Sequence, residues 1–370
     1  MKRKEIFLMP DYYPHFSCKM GECRSACCEK WPVTVSMHDY FDLLSLDCNA
    51  ELRRQIDCGV HVLKYATPER YAEITHRYDG SCHMRMPDGR CAIQASLGED
   101  KLPEVCRLYP RAIKDDGIFE CCCAASCEKV IEMLMQDKPI KFINQPLEYT
   151  PLQNSTVNLD PDAAKRQDVG MLLINSVLDD SLSLPQRISR VASVKGESVL
   201  ECDFDDVFQS LQSFTCVSTQ NDALDVVCRL LRAVARGNMS IADYAEKALS
   251  MFDGKNDRAI YNSLSDMFQA KFPHWQYLFA NMAANHMFFT RFPFEDGQAD
   301  YNSSCMSLAI AYALSRVLSV CLIESIKEPS NLVDILAAAY RVIEHTQLDV
   351  LAPPFMKQNG FDDITAIAEL

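Results

Sequence analysis

Residues 16–31 read FSCKMGECRSACCEKW, four cysteines in sixteen positions, two of them adjacent. The spacing is Cys18-x4-Cys23-x3-Cys27-Cys28, and two further sets follow as Cys82-x8-Cys91-x14-Cys106 and Cys121-Cys122-Cys123-x3-Cys127. Of the 18 cysteines, thirteen lie at or before Cys127. Core cysteines would scatter; these concentrate in the first third. In a reducing compartment such clustering points to metal more than to cystines. Tetrahedral iron or zinc is satisfied by four thiolates, and short spacings let one turn of chain present several at little loop-closure cost. Neighbouring side chains on extended backbone point to opposite faces, so Cys27 and Cys28 either serve different sites or one of them only packs. Cys202, Cys216, Cys228, Cys305 and Cys321 stand alone on helical patterns and read as small buried hydrophobes.

The rest of the chain sets the frame. A length of 370 residues suggests about two domains. A net charge of −14 argues against binding nucleic acid or an anionic membrane and favours a basic or lysine-bearing partner. The N-terminal apolar run IFLM stops at Pro10, too short for a signal-peptide core, so a cytoplasmic location is expected. CMSLAIAYALSRVLSVCLI at 305–323 is the longest hydrophobic stretch. Interrupted by Arg316 and several serines, it reads as a buried helix rather than a membrane span.

Turn signals such as YDGSC, PDGRC and KDDG crowd the cysteine-rich part, which is expected to hold only short helices over residues 1–137. Residues 138–161, with four prolines among scattered polar residues, read as a linker. From 162 to 370 segments such as DALDVVCRLLRAVARG and NLVDILAAAYRVIEH place apolar residues three and four apart, and Asn331 stands where an N-cap would. The expected fold is mainly α: a cysteine-rich, metal-binding N-terminal domain with short helices, followed by an all-α domain of about eight helices.

The thiol blocks also carry a resemblance. YYPHFSCKMGECRSACCEKWPVTV, DGSCHMRMPDGRCAIQASLGEDKLPEVCRLYPR and SCEKV resemble the blocks of the flagellin lysine-N-methylase (FliB-like) family. FPHWQYLFANMAANHMFFTRFPF and AAAYRVIEH look like its helical part. A broader relative is the group of small zinc- or iron-chelating CxxxCC proteins. The resemblance makes Cys18, Cys23, Cys27, Cys28, Cys82, Cys91, Cys106 and Cys127 the motif cysteines. It implies methyl transfer from S-adenosylmethionine to lysine side chains of flagellin, by a protein with an iron-sulfur cluster of the 4Fe-4S type; zinc is the alternative metal. Lys30, Ser36, Glu128 and CHMRM depart from the family pattern, and Cys121–Cys123 is extra to it. The competing reading is a non-enzymatic zinc- or iron-binding module whose helical part binds a partner.

Methyl transfer to an amine needs a neutral nucleophile, whereas an unperturbed lysine titrates near 10.4. No two glycines are separated by a single residue, which removes the GxGxxG fingerprint, and the radical-type spacing C-x3-C-x2-C is missing at Lys30. Arg107, Tyr109 and Arg111 are candidates for binding a carboxylate or balancing cluster charge; the plainer role is structural hydrogen bonding around the metal loop. Tyr12, Phe16 and Trp31 are candidates for caging a sulfonium, against ordinary packing. Glu344, His345 and Asn281 are candidates for reaching the lysine, against a role as satisfied helical residues. Tyr109, Arg111 and His345 are thus the catalytic candidates, and Tyr12, Trp31 and Arg107 those for the cofactor.

Overall fold

The computed structural model describes residues 3–24, 27–29, 33–150, 161–294 and 300–370. Trp31 and most of the expected linker, 151–160, lie outside the described residues. The chain divides into two units: a larger one of Met1–Phe16, Arg111–Gly237 and Ile241–Leu370, and a smaller one of Ser17–Pro110 with Asn238–Ser240. The division therefore falls at Phe16 and Pro110, not at residue 137.

Among the described residues there are seven strands: β1 (Arg3–Pro10), β2 (Val33–Val35), β3 (Val60–Val62), β4 (Ala72–Ile74), β5 (Arg111–Asp115), β6 (Phe119–Cys123) and β7 (Phe142–Tyr149). They build two small sheets, so the N-terminal part is mixed α/β where short helices alone were expected. The three-residue strands are too short to leave an alternation signal.

The larger unit's sheet has the order β5-β6-β1-β7, with β1 and β6 parallel and the outer pairs antiparallel. In β1 every second residue turns inward: Phe7 and Met9 are buried while Ile6 is 61% exposed. Strand β7 falls inside the expected linker. Its Pro146, paired with Ile6, is tolerated because β7 is an edge strand. All three cysteines of β6 are buried in the core.

The smaller unit holds helices α1 (Met37–Ser45), α2 (Ala50–Gly59), α3 (Ala92–Leu97) and α4 (Glu104–Leu108) beside the sheet β2-β4-β3. The first two are capped by their own sequence: Ser36 Oγ accepts from the Asp39 amide (3.1 Å) and Asn49 Oδ1 from the Leu52 amide (2.9 Å). Its core is a small cluster including Val35, Leu43, Ile56 and Ile93.

In the larger unit α5 (Glu128–Leu134) follows β6 directly, and among the described residues twelve α-helices come after it. They are α6 (Ala163–Leu178), α7 (Leu184–Ala192), α8 (Gly196–Leu200), α9 (Phe204–Gln212), α10 (Leu224–Ala235), α11 (Ala242–Leu249), α12 (Asp257–Lys271), α13 (Trp275–Phe289), α14 (Tyr301–Cys321), α15 (Pro329–His345), α16 (Leu348–Gln358) and α17 (Ile364–Ala368). The expected eight become twelve partly because short helices are cut by local backbone. Cys202, at φ +57°, separates α8 from α9, and Asp203 starts the latter by accepting from the Asp206 amide. Helix α15 starts three residues earlier than expected, at Pro329 with Glu328 as N-cap, so Asn331 is the third helical residue and accepts from the Glu328 amide.

Helix α14 is long and apolar enough to cross a membrane, yet it is enclosed by α7, α10 to α13 and α15 to α17. Its serines bond back within the bundle, whereas Arg316 leaves Nε and Nη1 without a hydrogen-bond partner. Ser315 and Ser319 donate to carbonyls one turn back, and the buried Arg316 lies over Trp275 (3.9 Å to the ring centroid) and Phe268 (4.6 Å) while donating to Ser265 Oγ (3.1 Å).

Candidate functional site

The seven motif cysteines before residue 110 belong to the smaller unit; Cys127, the eighth, belongs to the larger. Two turns bring the first set against the second. At Gly21 an added Cβ would come within 2.7 Å of Asp88 O, and at Gly89 (φ +85°) within 2.5 Å of Gly21 O. Only glycine lets MGEC and PDGRC approach so closely. The Cys82 amide then donates to Cys28 O (3.0 Å), and Glu29 pairs with both Ser81 and the Arg85 guanidinium.

Around this junction the sulfurs face one another. Cys28 bonds to both Cys27 and Cys82 through side chains, and those bonds, helped by Arg85, hold its thiol far below the ordinary range. Cys82, the other half of that pair, is pushed up by the bond to Cys28 and by burial. Cys91 and Cys106 lie close enough to feel each other and Cys28. Burial raises both, Cys106 to about 12, while the amides of Ile93 and Gln94 draw Cys91 the other way. Cys18 accepts from the Met20 amide (3.3 Å) at the surface. Cys28, Cys82, Cys91 and Cys106 are thiols rather than cystines. Soft sulfur donors of this kind suit zinc or iron. Among the described residues, however, no three His, Cys, Asp or Glu side chains converge tightly enough to form a metal shell. The donor chemistry fits a metal; the closed shell is not formed.

A second polar cluster sits in the larger unit, where the turn after β6 meets α13 and α15. The Glu344 carboxylate, with no exposed surface, accepts from the amides of Ala125 (3.2 Å) and Ser126 (3.0 Å), and His286 Nδ1 stands 3.8 Å away. Ser126 Oγ and His345 Nε2 are 2.7 Å apart. Tyr12 donates to Asn285 Oδ1 (2.5 Å) and accepts from the Cys123 amide (3.2 Å); Asn285 Nδ2 donates to Cys123 O (2.9 Å). His345 is more than a third exposed, and the partial loss of water around its ring lowers its pKa, which leaves the imidazole mostly neutral at physiological pH.

The sequence candidates thus separate. Tyr12, Glu344 and His345 meet around the CAAS turn, whereas Asn281 tethers a different loop, accepting from Ile140 N (2.9 Å) and donating to Leu134 O and Lys138 O. Arg111 lies on β5 over the Phe16 ring (4.8 Å) and donates to Phe16 O (3.4 Å). Arg107 and Tyr109 stay in the smaller unit, Arg107 paired with Glu104 at 3.7 Å. The CRLYPR block is therefore split between the units. Sequence reasoning missed Ser126, Asn285 and His286. Only the run NMAANH, which puts two amides and an imidazole inside an apolar helix, hints at them. The extra triplet Cys121–Cys123 packs in the core, where burial raises all three thiols, Cys121 to about 12.

Comparison with curated proteins and with solved structures gives no match. Comparison with protein families does: residues 173–370, more than half of the chain, match the FliB lysine N-methylase C-terminal domain. The matched region contains α13 and α15, which carry Asn285, His286, Glu344 and His345. The chain therefore belongs to the FliB lysine N-methylase family.

Proposed function

We propose that this protein is a cytoplasmic protein-lysine N-methyltransferase that moves methyl from S-adenosylmethionine to lysine side chains of flagellin. The observation that carries the reading is the family match over 173–370, since it names the acceptor residue and the transferred group. The reaction balances simply. A neutral lysine amine attacks the sulfonium methyl, the N–C bond forms as the C–S bond breaks to a thioether, and the amine loses one proton. The active site must therefore deprotonate lysine and take up that charge. His345, mostly neutral beside Ser126, is suited to accept a proton.

In the same reading the smaller unit carries a metal centre, an iron-sulfur cluster of the 4Fe-4S type, with Cys28, Cys82, Cys91 and Cys106 as the first choice of ligands because their sulfurs already neighbour one another. Such a centre would supply either a structural staple or an anchoring iron. Flagellin incubated with anaerobically purified protein and S-adenosylmethionine is expected to gain at least one methyl unit of mass on lysine; no gain with metal-loaded protein rejects the reading. Visible absorption with metal analysis separates iron from zinc.

A further inference from the structure

Helix α9 is apolar over a wider arc than the bundle covers. At about 100° per residue, Phe204, Val207, Phe208 and Leu211 share one side of it. Val207 and Leu211 are buried where α9 packs on α6, but Phe204 and Phe208, one turn apart, stay 44% and 45% exposed. Leu200, at the end of α8, is 50% exposed four residues earlier. A single exposed apolar residue needs no explanation; two phenylalanines on one helix face, with a leucine just before them, form a stripe. The charge beside this stripe has one sign. From Gly196 to Cys228 the chain carries seven carboxylates and no lysine, arginine or histidine. Asp222 and Asp225 pair with Arg258 and Arg229, and Asp206 accepts from Ser198 Oγ. Glu201, Asp203 and Asp205, which neighbour Leu200 and Phe204 in the chain, are exposed, and among the described residues no ion pair reaches them.

Charge decides what can cover such a face. A second copy docking through the same patch would bring these carboxylates against their own kind, and an anionic membrane would be repelled likewise. A basic amphipathic helix meets both demands. Its apolar side chains, three or four residues apart, match the spacing of Phe204 and Phe208, and lysines on their flanks face Glu201, Asp203 and Asp205. Resting on the lysine-methyltransferase reading, we propose that the α8–α9 stripe is a docking surface for the protein substrate, which it holds by a lysine-bearing amphipathic helix. The stripe touches no reacting group. Its contribution is therefore the same in the ground and transition states, and it falls on KM rather than on kcat.

The test is methylation kinetics of the full-length, anaerobically purified protein on flagellin monomers, with calorimetric binding of flagellin in the absence of the methyl donor. The wild type is compared with Phe208→Ser and with the double variant Glu201→Lys, Asp205→Lys. Both carboxylates are exposed, so the charge variant carries the test even where Phe208→Ser fails to fold. A KM about tenfold higher in each folded variant at unchanged kcat, with affinity weakened to match, supports the surface. Added salt should then raise the KM of the wild type more than that of the charge variant. Folded variants that keep the wild-type KM and affinity overturn the docking surface and leave the methyltransferase reading intact. A dimer in sedimentation that Phe208→Ser breaks, or binding to anionic vesicles that it abolishes, gives the face to another occupant and overturns the proposal too. A wild type that neither binds nor methylates flagellin overturns the reading, and the docking surface with it.

Discussion

The two units solve the same problem with different materials. The larger wraps a 21-residue helix, buried from Ser304 to Cys321, in other helices and keeps most of its cysteines as core atoms, as at Cys121–Cys123, Cys305 and Cys321, with Cys216 left exposed. The smaller has three-residue strands, helices of ten residues or fewer, and turns that require glycine; there Cys28 hydrogen-bonds to Cys27 and Cys82, while Cys82 also packs in the small core. One residue type thus has two settings, apolar neighbours alone or apolar neighbours together with other sulfurs. Small cores need staples, and large ones do not.

This contrast can be broken or sharpened by experiment. The largest effect is expected from Phe268→Ala, which removes a wholly buried ring under the Arg316 guanidinium and should cost about 3–5 kcal/mol. Hydrogen exchange should show the loss confined to the larger unit; equal acceleration in 17–110 would dissolve the division. Tyr12→Phe leaves the Cys123 amide and Asn285 short of a partner, a loss of about 1–3 kcal/mol by denaturant titration. A pair of cysteine variants comes next. Cys122→Ala should cost about 1 kcal/mol and leave metal content unchanged, whereas Cys106→Ala should lower bound metal by elemental analysis. Metal loss from both, or from neither, would erase the distinction between packing and ligand cysteines.

The smallest effect concerns pH. Because the partial loss of water lowers the folded pKa of His345, the unfolded chain takes up its proton first as pH falls below about 6.5. The stability this residue contributes is complete above that value and declines below it. His345→Gln should flatten the fall in Tm between about pH 7 and 5; an unchanged slope would deny the histidine that role.

Much of the helical unit was legible. Apolar spacing located α10 and α15, and the serines in α14 did not mislead because their hydroxyls bond back to the helix itself. The sheets were not legible. Strand β6 is FECCC, which reads as a ligand cluster until its neighbours are known, and β7 hides a proline that only its edge position permits. Of the polar cluster, Glu344 and His345 stood out as charged residues ending an apolar helix, while Ser126 needed the β6–α5 turn to be folded against them.

By itself, the sequence determined that thiols crowd the first third of the chain, that the part from 162 on is helical, and that this part resembles the lysine N-methylases whose family match spans 173–370. These are properties of spacing and residue type, which are local. Tertiary structure alone decided which sulfurs face each other, that Cys127 and Arg111 join the larger unit, and that Glu120, Gly170 and Arg291 frame one cleft. Each of those depends on residues far apart in sequence being brought into contact, and burial, hydrogen bonding and charge act across space rather than along the chain.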